Sequence, residues 1–248
     1  MPARRTALIT GAGRNIGRAC ALYLAQDGYN VVVNGSSNRA ACEKVAQECT
    51  VHGVEALVAM GDVGEPRDAA RIAFEGIARF GAIDVLVNNA AIRPGKGFLE
   101  TSDEEWRRVI SVDLDAAVWL SRACLPKMLE RGWGRIVNFT GMNAMQGTGG
   151  RPSVTVAKHG IWGLTKALAR EFGPRGITVN AISPGPIAGD RDSDDPASVK
   201  HRQDTVKAVP LGRMGTSGEI AGALRLLVSD DGAFINGQMI QVNGGAAT

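Results

Sequence analysis

A chain of 248 residues suits one large α/β domain and is long enough to bury a sizeable core. With 44% hydrophobic and 21% charged residues it has a globular rather than a disordered composition. Its net charge of +3, with acids and bases mixed along the sequence, is too weak and dispersed to single out nucleic acid or an anionic membrane as the main partner. In chain order, Thr6–Ile9 reads as a strand and Asn15–Gln26 as a helix. Asn30–Val33 and Arg39–Cys49 repeat that pair, as do Val54–Met60 and Pro66–Phe80. Ile83–Val87 is a further strand, followed by helical periodicity over Glu104–Glu130. The strand Arg135–Phe139, the helix Val154–Phe172, the strand Ile177–Ile182, the helix Gly218–Val228 and the strand Gln238–Val242 complete the pattern. Short apolar strands separated by helices of ten or more residues imply parallel βαβ units. Several strands are continuously apolar, so the sheet is expected to be buried on both faces.

No repeat, low-complexity tract or linker divides residues 1–248, which are expected to form a single domain. Residues 188–208 stand apart as a charged stretch with few apolar anchors: a solvated surface excursion, or a mobile lid over the substrate crevice. The four cysteines, Cys20, Cys42, Cys49 and Cys124, form no C-x-x-C pair and have no histidine at metal spacing, so core thiols are expected and no metal site. The apolar run after the basic Arg4-Arg5 breaks at Thr10-Gly11, too early for a signal peptide, and no stretch approaches the ~20 apolar residues of a membrane span. A cytoplasmic location is the resulting expectation.

Thr10-Gly11-Ala12-Gly13-Arg14-Asn15-Ile16-Gly17 follows the first strand and opens the first helix. Backbone N–H groups at such a helix N-terminus bind a pyrophosphate, and the glycines let the phosphates come close. The second strand ends in Val33-Asn34-Gly35-Ser36-Ser37, without the acid that would bond a ribose 2′-hydroxyl and repel a 2′-phosphate. The Arg14 guanidinium and the hydroxyls of Ser36 and Ser37 suit that phosphate, which favours NADP(H) over the alternative, NAD(H).

These residues resemble the short-chain dehydrogenase/reductase family, in particular its 3-oxoacyl-carrier-protein reductase-like members. The family loop is T-G-x-x-x-G-x-G, and Asn15 occupies its middle glycine, a residue that tolerates positive φ. Further similarity runs through Asp62-Val63, where the family holds adenine, and Asn88-Asn89-Ala90-Ala91. It continues at Lys158, at Pro184-Gly185-Pro186-Ile187, and from Asn236-Gly237-Gln238 to Val242-Asn243-Gly244-Gly245. The resemblance implies a Rossmann-type doubly wound fold with a seven-stranded parallel sheet in the order 3-2-1-4-5-6-7, helices on both faces, and a homotetramer or homodimer. Its implied cofactor contacts are Gly11, Gly13, Arg14, Asn15, Ile16, Gly17, Ser36, Ser37, Asp62, Val63, Asn88, Ala90, Lys158, Pro184, Gly185 and Ile187.

The family's active site uses Asn, Ser, Tyr and Lys, with tyrosine and lysine one helical turn apart in Y-x-x-x-K. The tyrosine position falls here on Val154, the serine position on Gly141 and the asparagine position on Asp113, leaving Lys158. The two tyrosines of the chain, Tyr23 and Tyr29, belong to or just follow the first helix. Without a phenol, reduction of a ketone lacks an acid worth roughly 10²–10⁴ in rate. Three readings follow. Other polar groups, with Asp113, Asn143 and Thr140 first among them, could substitute in a carbonyl reductase of 3-oxoacyl type. An iminium or activated double bond could need no protein acid. A non-catalytic NADP(H)-binding regulatory or scaffold protein would need no reaction centre. Ser153, Thr155 and Arg151 are polar and close by in sequence, while His159 is expected to be a packed histidine. Ala157, Gly160 and Gly163 could admit a close helix contact across an interface or pack on the sheet. Arg93 and Lys96 could attract an anionic substrate or be solvated loop charges.

Overall fold

The computed structural model describes residues 4–189 and 196–247. Its first half alternates β1 (Thr6–Ile9), α1 (Asn15–Gln26), β2 (Asn30–Gly35), α2 (Arg39–Thr50), β3 (Ala56–Met60), α3 (Pro66–Phe80) and β4 (Val85–Asn88). Then come α4 (Asp103–Ile110), α5 (Ala116–Arg131), β5 (Gly134–Phe139), α6 (Pro152–Phe172), β6 (Ile177–Pro184), α7 (Pro196–Lys207), α8 (Ser217–Val228) and β7 (Met239–Val242). The seven strands form one sheet in the order β3-β2-β1-β4-β5-β6-β7, every pairing parallel. The sequence-derived architecture and strand order are therefore those observed.

Ala7, Leu8 and Ile9 in β1, Val31 to Val33 in β2 and Val85 to Val87 in β4 are wholly buried, as a sheet covered on both faces requires. One core layer sets α1, α2 and α8 on the sheet through Cys20, Leu24, Val45, Ile220 and Leu224. The other sets α3 and α5 on the opposite face through Ile72, Leu120 and Met128. The four cysteines are free and buried, and burial pushes the thiols of Cys49 and Cys124 up to about 12, so they are packing groups. The chain reverses its direction of winding between β1 and β4, and this switch point opens the ligand crevice at the carboxyl edge of the sheet. Among the described residues no helix is long and apolar enough to cross a membrane.

The periodic stretch Glu104–Glu130 is not one helix. A five-residue π-helical segment, Ser111–Asp115, separates α4 from α5 and turns Val112 and Asp113 into the interior. Each residue added to a turn rotates the side chains that follow, and such insertions concentrate at functional sites. Within the charged stretch 188–208, Pro196–Lys207 is the helix α7, with Lys207 paired to Asp204 one turn earlier. Residues 190–195 of the stretch lie outside the described residues.

Candidate active site

The glycine-rich loop leaves β1 with Gly11 at φ +62 and enters α1 through Asn15 at φ 47, the one non-glycine residue with positive φ among those described. Gly17 cannot be replaced: a Cβ there would lie 2.3 Å from Gly11 O and 2.7 Å from Asn89 Nδ2. A Cβ on Gly11 would stand 3.1 Å from Ala90 Cα, so the loop after β1 and the strand end of β4 pack backbone against backbone. Asn89 locks the contact, with Nδ2 donating to Thr10 O at 2.8 Å, while Thr10 Oγ1 accepts the N–H groups of Asn89 and Ala90 at 2.9 and 3.0 Å. The buried Asn34 ties three strand ends together: its carbonyl accepts Ala12 N–H at 2.7 Å and its Nδ2 donates to Ala59 O at 2.9 Å.

Helix α1 begins at Arg14 with no side-chain cap and no acid in its first turn, so the positive end of its dipole is turned to the loop without an acidic residue of its own first turn. Arg14 is exposed and forms no ion pair with the described residues, and Ser36 and Ser37 are exposed just past β2. A pyrophosphate with a cationic arm and two hydroxyls beside it fits this cradle. Asp62 spends its carboxylate on Arg108, at 2.5 Å, and on Gly64 N–H, at 2.9 Å, beside the buried Val63. On the far side, Gly185 N–H donates to Val242 O at 2.9 Å, and a Cβ on Gly185 would meet Asn243 Cα at 2.5 Å. Pro184 closes β6, and Ile187 bridges to Gly215.

Lys158 and Asp113 meet at the centre. Asp113 Oδ2 lies 3.2 Å from Lys158 Nζ, an ion pair whose side chains are 0% and 4% exposed, although the two atoms are poorly aligned for a hydrogen bond. Asp113 Oδ1 accepts Ile92 N–H at 2.8 Å, and Lys158 Nζ donates to Phe139 O at 3.1 Å. Burial lowers the lysine pKa; the Asp113 carboxylate opposes that, and the Arg93 charge adds to it. A cavity of ≈ 10 Å³, about the size of one water, is lined by Thr10, Asn88, Asp113 and Lys158 among others. Asn88 Oδ1 and Asp113 Oδ2 are buried acceptors without a hydrogen bond. Asn88 Nδ2 donates to Asn138 Oδ1 at 2.8 Å, and Asn138 Nδ2 to Thr165 Oγ1 at 2.9 Å. This polar chain was not anticipated, and its signal was a lone asparagine inside the apolar strand Gly134–Phe139.

The polar groups around this pair are mostly engaged in the fold. Thr140 Oγ1 donates to Ile182 O at 3.1 Å and is buried, and Asn143 Oδ1 accepts from Thr148 Oγ1 at 2.8 Å. Val154 is 1% exposed and packs with Val109 and Ala157. Gly141 adopts φ 113 and ψ 169, a conformation reserved for glycine, with open space where a Cβ would project. Ser153 is buried inside the first turn of α6, whose N-cap is Arg151. His159 is exposed rather than packed, its Nδ1 at 2.9 Å from Thr155 O, because its position on α6 points away from the sheet. Ala157 is wholly buried and a Cβ on Gly160 would meet Leu114 at 2.8 Å, so these two pack within their own chain, whereas Gly163 is exposed with nothing within 4 Å of an added Cβ.

Neither tyrosine approaches the pair. Tyr29 donates to Val228 O at 3.3 Å, and the Tyr23 hydroxyl lies 3.0 Å from where a Gly218 Cβ would be, so both phenols rest against α8. Lys96 is held by both oxygens of Glu105 at 2.7 Å, whereas Arg93 has no ion-pair partner among the described residues. No group of three or more His, Cys, Asp or Glu side chains among the described residues could hold a metal ion.

The family model described as enoyl-(acyl carrier protein) reductase matches residues 11–247. The chain is 36% identical over 245 residues to the 3-oxoacyl-[acyl-carrier-protein] reductase FabG of Staphylococcus aureus, covering 99% of each. A protein of Beutenbergia cavernae assigned as an NAD(P)-dependent gluconate 5-dehydrogenase, solved with NADP at low occupancy, superimposes with a TM-score of 0.91 at 36% identity, covering 99% of this chain and 97% of that one. The acetoin dehydrogenase YohF of Salmonella typhimurium superimposes with a TM-score of 0.90 at 32% identity, covering 98% of this chain and 95% of that one.

Proposed function

Because the chain belongs to the short-chain dehydrogenase/reductase family and is an NAD(P)-dependent oxidoreductase, we propose that it uses NADP(H) to reduce an iminium or a comparably activated double bond rather than a simple ketone. The observation that carries this reading is the pairing of a fitted dinucleotide cradle with a reaction centre that both phenols avoid. Bound NADPH would supply a hydride at its nicotinamide ring. A ketone that accepts hydride becomes an alkoxide and needs a proton at once, while an iminium becomes a neutral amine when its C=N π pair moves onto nitrogen.

The chain's own groups are consistent with a charge-holding rather than a proton-donating role. In this reading Lys158 would hold the nicotinamide ribose, with Asp113 balancing its charge inside the protein. Asp113 itself has a side chain that is 0% exposed, and Thr140 already donates its hydroxyl proton to Ile182. Neither offers a substrate oxygen a free proton, so keto chemistry of the kind named for the relatives is the weaker reading here. Arg14, Ser36 and Ser37 support NADP(H) over NAD(H), and the relative from Beutenbergia cavernae with bound NADP supports the same choice. The proposed cofactor contacts further include Gly11, Gly13, Asn15, Ile16, Gly17, Val63, Asn88, Ala90, Pro184, Gly185 and Ile187 around the same crevice. A homodimer or homotetramer is the proposed assembly, supported by the fully exposed Phe234 beyond α8. The test is NADPH oxidation with a five-membered cyclic imine and with the matched cyclic ketone. Faster imine turnover is expected, and equal or better ketone turnover refutes the reading.

A further inference from the structure

We infer that Arg93 is a substrate-binding residue and that the reducible group is borne on a small molecule with a carboxylate. The inference rests on the reading of this crevice as the place where an iminium is reduced. Arg93 follows Ile92, whose N–H is fixed on Asp113 Oδ1 at 2.8 Å, so the main chain at the root of the arginine is anchored to the buried ion pair. Further along the same loop, Lys96 N–H donates to Gly150 O at 2.7 Å, joining the loop to the segment that begins α6. The loop thus bridges two walls of the crevice, with Arg93 exposed at its inner end.

Charge separates the two cations of this loop. Lys96, the other cation of the loop, is neutralised by Glu105, and the arginines lining other parts of the surface commonly have acids: Arg108 has Asp62, Arg131 has Asp84 and Arg213 has Glu219. Arg93 has no ion pair among the described residues, yet its charge acts on the buried ammonium of Lys158. An exposed guanidinium on a loop anchored to the buried pair, with no acid against it among the described residues, is available to a ligand. Arg151 on the α6 side is likewise exposed and without an ion pair among the described residues, so the two walls carry the same sign.

The planar fork of arginine matches a carboxylate with two parallel hydrogen bonds. It also settles a conflict in the charges. An iminium with no other charge would be repelled by Arg93 and Arg151, whereas one bearing a carboxylate is neutral overall and is oriented by them. The hydride adds to the iminium carbon, the π electrons pass to nitrogen, NADPH becomes NADP⁺, and the carboxylate is carried through unchanged.

The experiment compares 1-pyrroline-2-carboxylate with unsubstituted 1-pyrroline on the wild-type enzyme and on Arg93→Gln and Arg93→Lys, with NADPH affinity as the check on folding. One charge-assisted pair is worth roughly ten- to a hundredfold in kcat/KM. The wild type is expected to prefer the carboxylate by about that factor, Arg93→Gln to lose the preference through KM, and Arg93→Lys to regain part of it. Equal turnover of both imines, or a preference that survives Arg93→Gln, overturns the inference and leaves imine reduction standing. If neither imine is reduced, the proposed reaction fails, and calorimetry of 1-pyrroline-2-carboxylate on the NADP⁺ complex decides the role of Arg93. Binding lost in Arg93→Gln supports it, and absent or unaltered binding overturns it.

Discussion

Asp113→Ala tests the buried pair. The substitution removes the only carboxylate paired with Lys158 among the described residues and leaves an ammonium that is 4% exposed with the Phe139 carbonyl as its hydrogen-bond acceptor. It also strips Ile92 N–H of its acceptor. Breaking one side of a buried ion pair costs about 3–5 kcal/mol, which for a domain of this size lowers the melting temperature by on the order of 10 °C. The loss depends on pH in a defined direction. Burial already depresses the folded-state pKa of Lys158 below its unfolded value, and Asp113 opposes that depression. Removing Asp113 depresses it further, so the penalty for carrying the proton is fully present below the folded pKa and disappears as pH rises toward the unfolded one. Urea unfolding of both proteins between pH 6 and pH 10 should therefore show a stability gap that narrows as pH increases. A deficit below about 1 kcal/mol near neutral pH, or one that stays constant over that interval, would refute the ion pair as a structural element. The double variant Asp113→Ala with Lys158→Met should recover part of the loss, because it removes the stranded charge.

Replacing Arg14 with Gln should weaken NADPH binding about ten- to a hundredfold with a much smaller effect on NADH, as read by fluorescence titration; equal losses would deny the arginine its 2′-phosphate. Gly17→Ala forces a methyl group to 2.3 Å from Gly11 O, so the loop must move and both dinucleotides should lose affinity while the variant melts earlier. Gly141→Ser should lose roughly 1–3 kcal/mol in a denaturant titration through its φ of 113, although nothing lies within 4 Å of the added Cβ.

The doubly covered parallel sheet was legible in the unbroken apolar runs Val31 to Val33 and Val85 to Val87, whereas its strand order followed only from the family resemblance. The tolerance of the dinucleotide loop for Asn15 was legible as well, since its φ of 47 is a conformation asparagine accepts. What escaped the sequence depends on contacts between distant residues. The pairing of Asp113 with Lys158 exists only because the π-helical segment Ser111–Asp115 rotates the carboxylate inward, and an apolar period of 3.6 continues through that segment without announcing it. Gly141 could be seen as a missing serine but not as a backbone position that would strain one. α7 was obscured because Pro196–Lys207 has little apolar periodicity, and its helix is carried by charged and polar residues. The division of roles between Lys96 and Arg93 could not be read either, since Glu105 comes to Lys96 from a separate helix.

The most direct measurement uses an acceptor that can never take up a proton, an N-methylated cyclic iminium bearing a carboxylate, in a single-turnover assay with NADPH from pH 6 to pH 9. Hydride transfer at a rate nearly independent of pH, exceeding that with the matched cyclic ketone, is the expected result. A protein that leaves the iminium untouched but reduces the ketone, with a rate that falls as an acidic group loses its proton, would contradict the account.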